Sequence, residues 1–164
     1  MKLSKKVEAV LNQQINAEFW SAYMYLSMSA YLQSISMNGF AHWMRLQFEE
    51  EKAHALKIYD FVYSRGGEVK LATINEVPTS WKSVAEVIKA TYEHECKVTS
   101  MIYNCYEVAS AEKDYATMSM LQWFIDEQVE EEENVQAILD KLALVGESKN
   151  SLYFLDRELG KRSE

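Results

Sequence analysis

The chain has 164 residues, enough for one domain with a sizeable core and too few for two comfortable ones. Hydrophobic residues make up 48% and charged residues 26%, a balance that argues against disorder, and no apolar run approaches the ~20 residues of a membrane span. A net charge of −8 repels phosphate backbones, which makes nucleic acid a poor partner. Residues 1–10 carry lysines but lead into neither an apolar stretch nor a small-residue cleavage site, so no secretory signal is read and a cytoplasmic setting is expected.

One proline, Pro78, and five glycines punctuate the chain, so long helices are possible almost everywhere. Ser4 can cap a first helix over about 4–35, and Ser36, Asn38 and Gly39 make a short connection to a second over 38–65, closed by Gly66 and Gly67. The stretch through Asn75, Pro78 and Thr79 shows no clear periodicity and reads as the one long connection. A third helix spans 83–111, a tight turn at Lys113 and Asp114 leads to a fourth over 114–145, and a short fifth covers 149–160. Short loops join antiparallel neighbours, whereas a loop of roughly 16 residues reaches about 50 Å and can cross the length of a helix, allowing the second and third helices to run parallel. The expected fold is therefore all-α: two helical hairpins in a four-helix bundle with one long crossover, within a single domain over 1–164.

Each helix carries an apolar seam stepping by threes and fours, the mark of a core-facing stripe. The first reads Leu11, Ile15, Glu18, Ala22, Tyr25, Ser29, Leu32; the second reads Met44, Phe48, Glu51, Ala55, Ile58, Val62, with His54 one turn beyond the glutamate. The third reads Val84, Ile88, Thr91, Glu95, Val98, Ile102, Cys105, Ala109, and the fourth Leu121, Phe124, Gln128, Glu131, Val135, Ile138, Leu142, Val145. Every interruption falls near a helix midpoint, so the polar residues must meet at one level of the bundle. Burying a carboxylate costs several kcal/mol unless it is paired, and no lysine or arginine occupies any seam. A shared proton could quiet one pair, but four glutamates, a histidine and a glutamine are better satisfied by two divalent cations. Glu51-x-x-His54 offers both side chains to one metal, and Gln128-x-x-Glu131 repeats the spacing. Oxygen-rich ligation with one imidazole favours iron or manganese over structural zinc. Cys96 and Cys105 are separated by about 13 Å of helical rise, too far to bridge, and read as reduced structural thiols.

The segments Asn16-Ala17-Glu18 with Tyr25, Glu49-Glu50-Glu51-Lys52-Ala53-His54, Glu93-His94-Glu95 and Gln122-Trp123-Phe124-Ile125-Asp126-Glu127-Gln128-Val129-Glu130-Glu131 resemble those of bacterial non-haem ferritins, nearly along the whole chain. The resemblance implies a ferritin-like bundle with a short C-terminal helix that oxidises Fe(II) with O₂ and stores ferric mineral in a cage of twenty-four subunits. One iron would be held by Glu18, Glu51 and His54 with Gln128 nearby, the other by Glu51, Glu95 and Glu131, and Glu51 would bridge them. A third iron position would use Glu50, Glu127, Glu130 and Glu131, with a solvated acidic stripe as the plainer alternative. Tyr25 resembles an electron donor of the family, although its position equally suits a buried aromatic. Haem is not expected, because Lys52 stands where the haem-binding relatives have methionine. His42 and His94 are assigned to no metal, and Trp20 and Trp123 read as packing residues. Leu152, Leu155 and Leu159 recur at helical spacing and need a surface to cover them, which the resemblance places at a fourfold axis. Two rival functions compete with this one. A di-iron oxidase or oxygenase of an organic substrate requires an apolar pocket, and a non-catalytic helical interaction module leaves the seam carboxylates unexplained.

Overall fold

A computed structural model describes residues 2–146 and 148–163, so Met1, Glu147 and Glu164 of the expected domain lie outside the described residues. It contains α1 (Lys5–Ser34), α2 (Asn38–Ser64), α3 (Val84–Ala111), α4 (Tyr115–Val145) and α5 (Lys149–Leu159), with no strand among the described residues. No described helix is long and apolar enough to cross a membrane.

Local chemistry sets the ends. Ser4 Oγ accepts from Val7 N, Ser83 Oγ from Glu86 N and Asp114 Oδ1 from Thr117 N, each capping orphan amides of a first turn. Three helices stop in the same way. In α2, Gly67 N donates to Val62 O and Gly66 N to Tyr63 O, with Gly66 at φ +64°. The same pair of bonds ends α1 around Ser36 and α3 around Lys113, both non-glycine residues held at positive φ. The second helix has no cap of its own: Asp156 of α5 supplies one, its Oδ1 accepting from Gly39 N at 2.8 Å and Phe40 N at 3.0 Å. Only glycine fits at position 39, since a Cβ there would lie 1.6 Å from the Asp156 carbonyl oxygen.

The crossover is laid along α1 rung by rung. Glu68 N donates to Glu8 Oε2, Asn12 Nδ2 to Glu68 O, Lys70 N to Asn12 Oδ1, Trp20 Nε1 to Glu76 O and Ser27 Oγ to Pro78 O. These bonds carry the chain the length of the bundle, so α2 and α3 run parallel. Beyond the loop, Arg65 clasps Asp114 through two bonds of 3.0 and 3.1 Å, tying the end of α2 to the start of α4.

Two apolar clusters fill the interior. One gathers Leu11, Ile15, Ile58, Val62, Val98, Ile102, Leu121 and Phe124, and the other gathers Met28, Leu32, Phe40, Met44, Val87, Ile88, Val135 and Ile138 with Leu155 and Leu159 of α5. The gap between the clusters falls at Glu18, Glu51, Glu95 and Glu131. Leu155 and Leu159 are covered by this chain itself, so the need for a partner surface shifts to the other face of α5, where Tyr153 and Phe154 are exposed. Backbones of α1 and α3 approach closely, whereas α2 and α4 meet only through side chains, which leaves room for a polar layer between them.

Candidate metal centre

The seams deliver their polar residues to one buried layer. Glu18, Glu51, His54, Glu95, Gln128 and Glu131 are each at most 5% exposed. Single ligand atoms from Glu18, Glu51 and His54 lie within 4.8 Å of one another, the only such trio of His, Cys, Asp or Glu among the described residues. His54 is steadied by edge contacts to Trp123 and Phe124, with ring centroids 5.5 and 5.8 Å away. Its Nδ1 stands 3.5 Å from Glu51 Oε2 without forming a hydrogen bond.

The surrounding residues hold some carboxylate oxygens and leave others bare. Gln14 Nε2 donates to Glu18 Oε1 at 2.9 Å, Gln128 Nε2 to Glu95 Oε2 at 3.1 Å and Gln47 Nε2 to Glu131 Oε2 at 2.8 Å. Tyr25, wholly buried, donates its hydroxyl to Glu95 Oε1. Glu18 Oε2 and both oxygens of Glu51 are buried with no hydrogen-bond partner. These three orphans are what a cation would satisfy, and a set of carboxylates with one imidazole suits a divalent metal of the iron type. The residues present fit.

Electrostatics agree. Burial, followed by repulsion from Glu18 and Glu95, raises the Glu51 carboxyl well above the usual range. Burial pushes Glu95 up to about 7 despite hydrogen bonds from Tyr25 and Gln128. It pushes Glu131 up to about 8, with Glu95 and Glu50 adding repulsion. Burial and the neighbouring carboxylates hold Tyr25 firmly protonated. Without a metal the layer keeps protons that cations would displace.

The acidic residues expected beside the centre are arranged differently. Glu50 and Glu127 are half-buried and Glu130 is exposed. Glu50 is gripped by Arg162, whose Nη2 reaches its two oxygens at 2.8 and 2.9 Å. Elsewhere, His94 Nε2 sits 2.7 Å from Ser21 Oγ with its ring tilted against Trp20, and His42 Nε2 meets Arg162 O at 2.9 Å. Cys96 and Cys105 are both free thiols.

Sequence reasoning missed Gln14, Gln47 and Arg162. The two glutamines had a visible signal, since each lies four residues before a seam glutamate, Glu18 or Glu51, on the same helix face. A seam read through Phe48 passes over Gln47: Phe48 is half-buried beneath Arg45 and Lys52, while Gln47 is fully buried. Arg162 had no local signal.

Comparison with known proteins bears on the family and the fold. Residues 8–145 match the family model of the ferritin-like domain. The chain is 42% identical to a bacterial non-heme ferritin of Bacteroides fragilis over 160 residues, 98% of this chain and 99% of that one. It is 42% identical to a bacterial non-heme ferritin of Staphylococcus epidermidis over 161 residues, covering 98% and 97%. Among solved structures, an open pore ferritin from Archaeoglobus fulgidus superposes with a TM-score of 0.97 at 49% identity, covering 99% of this chain and all of that one. An engineered closed form of the same archaeal ferritin aligns equally well, with a TM-score of 0.97. By sequence along nearly its full length and by the fold of its four-helix bundle, the chain belongs to the ferritin family.

Proposed function

We propose that this chain is an iron-storage ferritin with ferroxidase activity, taking Fe(II) and O₂ as substrates and keeping ferric product inside a cage of twenty-four copies. The observation that carries the reading is the buried layer of four glutamates and His54, with three carboxylate oxygens unsatisfied and no Lys or Arg within it. One Fe(II) is assigned to Glu18, Glu51 and His54 and a second to Glu51, Glu95 and Glu131, so that Glu51 lies between them. The redox chemistry belongs to the iron, each Fe(II) giving one electron to O₂. The chain supplies geometry: Gln14, Gln47 and Gln128 fix one carboxylate each, and the Tyr25 hydroxyl both orients Glu95 and stands ready as an electron source beside it.

Release of the ligand protons on iron binding follows from the raised carboxyls of Glu51, Glu95 and Glu131. A net charge of −8 favours cation entry and retention. A third iron position at Glu50, Glu127, Glu130 and Glu131 extends the site toward solvent, and its solvated members suit passage better than permanent holding. The exposed Tyr153 and Phe154 on α5 suit contact between copies. Aerobic addition of Fe(II) to the metal-free protein tests the whole reading. Many irons per chain should remain soluble in a particle that sediments as a large cage; precipitation of the iron beside a small protein would refute storage.

A further inference from the structure

We propose that Arg162 is a tethered cation that occupies the Glu50 corner of the third iron position and sets how tightly a metal ion can bind there. This rests on the two-iron reading above, because it concerns what lies beside that centre.

Three side chains of α2 hold the guanidinium. Nη2 makes bonds of 2.8 and 2.9 Å to the two oxygens of Glu50, Nη1 donates to Gln47 Oε1, and the group stacks 5.0 Å from the centroid of Trp43. The Arg162 carbonyl is engaged by His42 Nε2. The segment cannot wander far, because α5 is seated by Asp156 on the start of α2, and Leu155 and Leu159 are buried in the core. A metal ion approaching Glu50 therefore meets a carboxylate whose two oxygens are already engaged by a guanidinium.

The contact reaches further than Glu50. Gln47 spends its carbonyl on Arg162 and its amide nitrogen on Glu131, so the cation fixes which way that amide points. Glu131 belongs both to the central layer and to the third position. Arg162 thus orients a side chain that holds a central ligand, while neutralising the neighbour that would otherwise invite another cation. A single nitrogen, Nη2, spans both Glu50 oxygens in a half-sheltered, charge-assisted contact, while Nη1 is given to Gln47.

The test is an anaerobic titration of the assembled, metal-free protein with Co(II), a redox-silent probe read by its visible absorption and by calorimetry. The parent should take up two ions per chain tightly and a third weakly. Arg162→Ala should bind the third ion about tenfold more tightly, the change expected from removing a competing charge-assisted ion pair. Adding Glu50→Gln in that background should abolish the gain. Arg162→Gln keeps a hydrogen-bonding side chain for Gln47 while removing the charge, and should show the gain even if the alanine variant assembles poorly. Arg157→Ala, which removes an exposed charge from α5 itself, should leave the titration unchanged. A third-ion affinity unaltered in both Arg162 variants, a gain that survives Glu50→Gln, or an equal gain in Arg157→Ala would overturn the proposal while the two central ions still bind. Failure of the parent to bind the first two ions would instead sink the two-iron reading, and the proposal with it.

Discussion

Two neighbouring groups of acidic residues solve the same electrostatic problem in different ways. In the central layer, Glu18, Glu51, Glu95 and Glu131 are buried beside one another, and the side chains that hydrogen-bond them are neutral amides and the Tyr25 hydroxyl. Beside it, Glu50 has a guanidinium from the same chain, Glu127 is half-buried and Glu130 is exposed. The first group is left wanting a cation; in the second, Glu50 already has one. Number of carboxylates alone does not make a metal site. What separates the groups is whether the fold supplies its own positive charge.

Removing the bridging residue should break the contrast most sharply. Glu51→Ala should lower the rate of Fe(II) oxidation by orders of magnitude in stopped flow, while the metal-free protein melts no lower at pH 8 than the parent. The change deletes a ligand together with a buried acid whose two oxygens lack partners, and relief of that burial cost offsets the cavity left behind. Unaltered oxidation in this variant would mean that the central layer had been misread.

Next in size is the pH dependence of the metal-free protein. Glu95 at about 7 and Glu131 at about 8 both lie above the ordinary 4.5, so folding favours their protonated forms. Their contribution is full below about pH 4.5 and is lost as pH rises through 7 and 8. Melting in chelator should show this as a decline of several kcal/mol between pH 5 and pH 8.5, and a saturating divalent metal should remove it. A metal-free protein that gained stability across the same interval would contradict the assigned shifts.

Changing Glu127 and Glu130 together to alanine probes the solvent-side group. Oxidation at the central pair should survive, because Glu131 and the other central ligands are untouched, while binding of the third ion weakens further. If neither the Co(II) isotherm nor the Fe-to-O₂ ratio changes, those two residues are a solvated face. Asp156→Ala should cost about 1–2 kcal/mol by uncapping Gly39 N and Phe40 N. It should also loosen the seat of Arg162, so the third Co(II) should bind more tightly although no ligand has changed. The smallest effects belong to Ser36→Gly and Lys113→Gly, which relieve positive φ at two helix ends. Each should raise stability by up to about 1 kcal/mol without altering metal binding.

The bundle and its crossover were legible because they depend on local signals. Ser4, Ser83 and the Gly66–Gly67 pair mark helix ends, and apolar steps of three and four mark the buried faces. The polar layer was visible for the same reason: a glutamate in an apolar seam contradicts its surroundings wherever the helix ends up. The crossover's path was not legible, since its bonds to Glu8, Asn12, Trp20 and Ser27 involve side chains that look like ordinary helix surface. Arg162 was hidden by distance. More than a hundred residues separate it from Glu50 in the chain, and the two meet only because Asp156 docks α5 onto a glycine at the start of α2. The leucines of α5 show the limit of periodicity, which reveals that a face must be covered but not whether the same chain covers it.

The central assignment is tested most directly by soaking crystals in Fe(II) without oxygen and recording anomalous differences at the iron edge. Two strong peaks per chain should appear, one among Glu18, Glu51 and His54 and the other among Glu51, Glu95 and Glu131, with any third peak beside Glu50 weaker. Saturated crystals with no peak in that layer, or with the strongest peak among Glu50, Glu127 and Glu130, would contradict the assignment.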